Sequence, residues 1–180
     1  MKTREMVMDT YDLQCSGPFS LKEDRFKRTL EIMPFFKLLP EGNPHETPEM
    51  LGAELDLLQA MFLCKVFDQM FKISAVPVPT RYWEPKVSVE DAWQIALAEH
   101  QRVRDEHPDW LLGDLDEKWS PYSFATYSQV YHFWCTNGKA QKEGKIPGMW
   151  GVMVDRVDGS IWTREHLDAL QVMDSLIRKL

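Results

Sequence analysis

An α+β fold is predicted by three features of the sequence: helix-capping patterns at Ser20-Leu21-Lys22-Glu23 and Ser88-Val89-Glu90-Asp91, a change from helical to alternating hydrophobic period after Pro108, and the hairpin signal Asp158-Gly159. In each capping pattern a hydroxyl stands three residues before a carboxylate, so the two side chains can satisfy the orphan N–H groups at a helix start. With 180 residues the chain is long enough for one substantial core. A single compact domain over residues 1–180 is expected, with a helical part at about 20–75 and an α+β part at about 87–180.

The first capped helix is expected from Leu21 to about Lys37, its apolar stripe formed by Phe26, Leu30 and Met33, with Pro34 kinking or ending it. Leu39-Pro40-Glu41-Gly42-Asn43-Pro44 reads as a linker. Thr47-Pro48-Glu49 offers a cap, a proline at the first helical position and an acid facing the positive end of the dipole, so a second helix is expected to begin there. Along it Leu51, Leu55, Leu58, Phe62 and Met70 form a stripe, while Leu57, Met61, Leu63, Cys64, Phe67 and Phe71 fill the other faces, which places such a helix inside the protein. Val76-Pro77-Val78-Pro79 cannot continue a helix and reads as a connector or an edge strand.

The helix opened by Ser88 is expected to run to about Glu106 and to end at Pro108. Strands are then expected at Trp110 to Leu115, Tyr127 to Thr136 and Met149 to Val157, with a short one at Ser160-Ile161-Trp162 after the Asp158-Gly159 turn. Thr163 caps a final helix, Arg164 to Lys179, with Leu167, Leu170, Met173, Leu176 and Ile177 on its buried face.

Composition narrows the function classes. A hydrophobic fraction of 44% with 12% aromatics supports a packed core. The formal net charge of −7, from 28 acids against 21 bases, disfavours nucleic acid and anionic membrane as partners. Three widely spaced cysteines among apolar neighbours do not look like a disulfide framework, and the charged N-terminal stretch carries no secretory pattern, so a cytoplasmic location is expected. The most apolar segment, Leu55 to Phe71, is interrupted by Asp56, Lys65 and Asp68 and is too short to span a bilayer.

No catalytic or cofactor motif stands out. The five histidines lack the spacing of a metal pair, which gives surface or half-buried positions as their expected place and no metal as a ligand. Gly138 to Ile146 has the glycines and lysines of a phosphate loop, but the glycines are too far apart and Ile146 stands where a hydroxyl is required, so it reads as a polar hairpin tip. Asp114-x-Asp116 continues into Lys118 and Trp119, which denies it the further ligand and glycine of a calcium loop. No glycine-framed serine or base-paired cysteine is found. An enzyme site would have to be assembled from scattered residues such as His132, Asp155 and Glu117.

Two constellations suit protein contact. Strand alternation places Tyr131, Phe133 and Cys135 on one face and His132 and Trp134 on the other, one set being core and the other, with Trp119 and Trp150, covered by a helix or exposed as anchors. The span Asp105 to Glu117 holds Asp105, Glu106, Asp109, Asp114, Asp116 and Glu117 with no Lys or Arg, beside Trp110 and Trp119. It is either a solvated face or a recognition patch for a basic partner.

The order of elements from Val87 to Leu170, with a helix opening Ser-Val-Glu-Asp-Ala-Trp, the strand Val130-Tyr131-His132-Phe133-Trp134, and Val152-Met153-Val154-Asp155 leading to Val157-Asp158-Gly159-Ser160-Ile161-Trp162, resembles the small α+β domains of immunity proteins of bacterial polymorphic-toxin and interbacterial secretion systems. The resemblance implies an antitoxin that occludes a cognate toxin or effector protein by direct binding, without cofactor or catalytic residues, and the expected contact residues are those of the acidic span with Trp110 and Trp119. A secretion chaperone or adaptor is the alternative for a chain of this size and charge.

Overall fold

The computed structural model describes residues 9–16, 37–38, 49–118, 129–146 and 148–180. They form the α+β fold expected, but the chain divides into two compact units where one body was expected: Met1–Trp83 with Gln171–Leu180, and Glu84–Leu170. The expected helix Leu21 to Lys37 and the linker after it fall almost wholly outside the described residues, Lys37 itself lying in a strand.

In the first unit the sequence reading of a helical block is corrected: its described residues build an antiparallel sheet. Strands β1 (Tyr11–Ser16), β2 (Lys37–Leu38), β3 (Glu49–Leu55) and β4 (Ser74–Pro79) are ordered β2-β3-β1-β4. The helix expected from Thr47 starts instead at Leu57, as α1 (Leu57–Phe71), because the stronger cap is Asp56. Its carboxylate accepts from Gln59 N at 2.9 Å while the Gln59 side chain accepts from Asp56 N at 3.1 Å. Upstream of that box Gly52 weakens the helix, and residues 49–55 pair in the sheet.

Between Tyr11 and Leu13 the β1–β3 register slips, Tyr11 facing Leu55 and Leu13 facing Leu51. The buried Asp12 fills this bulge: its Oδ1 accepts from Ala53 N at 2.7 Å and Glu54 N at 3.0 Å, and its Oδ2 accepts from the Trp83 indole. Glu54 is held at φ 47°, a conformation that a non-glycine residue adopts only when its surroundings enforce it.

Strand β4 takes the edge position, one of the two readings of its Val-Pro-Val-Pro sequence. Thr80 N donates to Thr10 O, so the groups of Val78 and Val76 face β1 in turn, and the two prolines place their missing donors on the open edge. Over one face of this sheet α1 lays Ala60, Met61, Cys64 and Phe67 against Leu13, Cys15, Ile73, Ala75 and Ile177. The other side of α1 does not meet the expectation of an enclosed helix, since Leu58, Phe62 and Met70 are exposed.

In the second unit α2 (Val89–Glu106) begins at Ser88, whose side chain accepts from Asp91 N, and ends before His107 and Pro108, as expected. It packs Ala92, Ala96 and Val103 on an antiparallel pair, β5 (Val130–Thr136) and β6 (Met149–Asp155), through Tyr131, Phe133, Cys135, Val152 and Val154. Tyr131, Phe133 and Cys135 are therefore the core set, and Trp150, opposite Cys135, belongs to their side. The hairpin tip contains a short helix, α3 (Gly138–Lys142), capped by Asn137. The strand expected at Trp110 to Leu115 reduces to one bridge, Leu112 to Asn137, because a 3₁₀ turn at Pro108–Trp110 and a left-handed Leu111 interrupt the extended course. Ile161 likewise makes one bridge, to Val154.

After β6 the buried Asp155 repeats the arrangement at Asp12: Oδ1 accepts from Val157 N at 2.8 Å and Asp158 N at 3.2 Å, and Oδ2 from the Trp162 indole at 2.9 Å. Helix α4 (Arg164–Lys179) follows, with His166 Nδ1 accepting from Thr163 N at 3.0 Å. Of its expected apolar face only Ile177 is buried; Leu167, Leu170 and Met173 are half-buried and Leu176 is exposed.

Asp12→Ala strands three donors, each costing ~1–3 kcal/mol when buried without a partner, and is expected to lower the unfolding free energy by about 3 kcal/mol or more in urea titrations. A Cβ on Gly151 would sit 2.7 Å from both the Phe133 carbonyl oxygen and His132 Nε2, so Gly151→Ala is expected to cost about 1–3 kcal/mol, read as a lower thermal midpoint.

Candidate functional site

The seven described residues of the predicted contact set, Asp105, Glu106, Asp109, Trp110, Asp114, Asp116 and Glu117, lie on the end of α2, the 3₁₀ turn and the segment that returns along β5. Trp119 lies outside the described residues. The returning segment is fixed by backbone bonds: Gly113 N donates to Thr136 O at 3.0 Å, Asp116 N to Trp134 O at 2.7 Å, and Gly138 N to Leu111 O at 3.2 Å. From the helix side, His100 Nε2 pairs with Gly113 O at 2.9 Å. These bonds bring Asp114 back beside Arg104 and make one edge out of two stretches of chain.

The edge is less acidic than the linear sequence. Arg102 grips Glu99 at 2.7 Å and Glu106 at 2.6 Å, Arg104 reaches Asp114 at 3.4 Å, and Lys139 of α3 pairs with Asp109. The Lys139 ammonium beside Asp109 holds that carboxyl below its usual range, and the same contact raises Lys139. Among the described residues Asp105, Asp116 and Glu117 make no ion pair; Asp105 accepts from the Gln101 amide at 2.8 Å and Asp116 from Lys118 N at 3.0 Å. All of these carboxylates are exposed, which makes each pair a weak contributor to stability and leaves the acids open to a partner.

Trp110 is half-buried, stacked on His107 with ring centroids 4.4 Å apart and 11° between planes, and it packs on the second-unit core. Beside it, α2 and the returning segment enclose an open cleft of about 570 Å³, lined by Gln94, Leu97, Gln101, Arg104, Asp114 and Leu115, with Ala98 and His100 at its floor. His100, Arg104 and Lys139 were absent from the expected set. His100 and Arg104 were accessible to helical spacing, since His100 continues the Ala92–Ala96 stripe and Arg104 follows Val103; the pairing of Lys139 with Asp109 across thirty residues had no signal in sequence.

The histidines depart from the surface or half-buried positions expected of them, because two are core residues. His100 and His132 are buried, and each described histidine lies against a tryptophan: His100 with Trp150, His107 with Trp110, His132 with Trp134 and His166 with Trp162. Indole offers an imidazole a flat apolar surface, which is how a ring with polar atoms is accommodated in a packed interior. Burial pushes His132 down to about 4 and pushes the Cys64 and Cys135 thiols up to about 12 and about 11. All three cysteines are buried free thiols.

The residues suggested for an assembled enzyme site do not converge. Asp155 gives both oxygens to its turn, His132 stacks on Trp134 over Gly151, and Glu117 is exposed on the returning segment. Among the described residues no group of three or more His, Cys, Asp or Glu is arranged to hold a metal ion, and no helix is long and apolar enough to cross a membrane.

No protein-family profile matches the chain, and neither a curated protein nor a solved structure matches it.

The depressed His132 pKa links folding to pH. Between about 4 and the ordinary value of 6.5 the unfolded chain binds the proton and the folded one does not, so stability falls as pH falls through that window. The expected loss is about 3 kcal/mol between pH 7 and pH 4, and His132→Gln is expected to remove that share of the pH dependence in urea titrations.

Proposed function

We propose that this chain acts by binding another protein, as an immunity-type inhibitor that neutralises a cognate bacterial toxin or effector, with the 105–117 edge as its contact surface. The observation that carries this reading is the mounting of the edge. Exposed carboxylates are presented on a helix end and on a segment bonded to β5, so little conformational freedom is lost when a basic surface closes on them. Trp110, packed from behind and half-exposed in front, has the rigidity and the amphipathic surface of an interface anchor. The acids left outside ion pairs, Asp105, Asp116 and Glu117, are the natural partners for lysines or arginines of the toxin.

A second reading, an acidic secretion chaperone or adaptor, is favoured by the exposed apolar side of α1, the kind of surface that engages an extended client. The two readings differ in the client: a folded toxin for the first, an unfolded or extended protein for the second.

Co-expression with the product of the neighbouring gene is expected to yield a one-to-one complex by light scattering. Asp105→Lys, Asp116→Lys and Glu117→Lys together are expected to slow association tenfold or more and to flatten its salt dependence, as for charges that steer encounter. Absence of a complex, or an affinity unchanged by the triple reversal, would overturn the assignment.

A further inference from the structure

We infer that the outer face of α1 is a self-pairing surface, on which two copies of this chain meet helix against helix about a two-fold axis. Helix α1 is apolar on both sides, and only its inner side is used by its own unit. On the outer side Leu58 is 77% exposed, Phe62 61% and Met70 65%, with Val66 half-buried between them. These four residues are spaced by four, so they form one unbroken ridge along the helix rather than scattered apolar positions.

The ridge carries no charge. The polar residues beside it are Gln59 and Gln69; the Lys65 ammonium is turned away to the Arg178 carbonyl at 2.6 Å, and helical spacing places Asp68 on the side of Cys64. Two chains of net charge −7 repel one another over most faces, and an uncharged ridge is where they approach at least cost. The same feature argues against a basic partner there, since nothing on the ridge attracts one.

The ridge is also self-complementary. Leu58 and Met70 are equidistant from position 64, and so are Phe62 and Val66. An antiparallel two-fold pairing therefore sets Leu58 level with the second copy's Met70 and Phe62 level with its Val66. Ridges of residues spaced by four interlock in the commonest class of helix packing, crossing at about −50°, and an isologous contact needs one patch that fits itself. A ridge of four side chains offers less than the ~800 Å² per partner of stable complexes, so the dimer is expected to dissociate on dilution.

The pairing involves the chain alone and stands apart from the partner edge at 105–117, so a failed complex with a toxin leaves it intact. Sedimentation of the full chain over a dilution series is expected to move from twice the 21.1 kDa chain mass toward a single mass. Phe62→Asp is expected to give monomer at every concentration with an unchanged circular dichroism spectrum, while Leu176→Asp, on the exposed side of α4, leaves the dimer intact. A monomeric wild type, or a Phe62→Asp protein that still dimerises, would overturn the inference.

Discussion

Both units depend on the same constraint, a buried aspartate that has to find donors for its oxygens. Asp12 and Asp155 each accept two successive backbone N–H groups on one oxygen and an indole N–H on the other. A carboxylate taken out of water with its oxygens unsatisfied costs several kcal/mol, and the same carboxylate with three donors becomes a rigid joint. In the first unit the joint stabilises the β1–β3 bulge and the left-handed Glu54 and ties in Trp83, the last residue of that segment. In the second it closes the turn after β6 and places Trp162 at the start of α4.

The candidate edge inherits its shape from the second joint and from α2. Lys86 N and Val87 N donate to Arg156 O, and the Tyr131 hydroxyl donates to Val87 O, so the chain entering α2 is fastened to the turn that Asp155 organises. With the start of α2 fixed, its far end presents Asp105 and Glu106, and His100 holds the returning segment through the Gly113 carbonyl. The acidity read along the chain is partly cancelled in space by Arg102, Arg104 and Lys139, which concentrates the unpaired negative charge on Asp105, Asp116 and Glu117.

Interior packing joins residues that differ widely in chemistry. Imidazoles lie on indoles, and Gly151 is required beneath His132 because the strands approach too closely there for a Cβ. The price of burying His132 appears as a pKa near 4, a cost met by the close packing of the hairpin around it.

Local chemistry was legible wherever one residue governs its neighbours. The Ser88 cap, the end of α2 at Pro108, the β5 and β6 strands, the Asp158-Gly159 turn and the bounds of α4 all follow from caps, breakers and alternation read over a few residues. The α+β class follows from them, as does the adjacency in sequence of the acids at the edge. Other features required contacts across tens of residues. Residues 49–55 became a strand because Asp12 and β1 supplied partners for their backbone, against a helix signal at Thr47. The outer side of α1 stayed exposed because only one sheet face met it, although its composition called for enclosure on all sides. Lys139 reached Asp109 only once the hairpin had folded back. Capping and periodicity are encoded within a turn or two of the chain, whereas the division into two units, the bulge and the pairing of charges are decided by which distant surfaces come together, and that choice belongs to the tertiary structure.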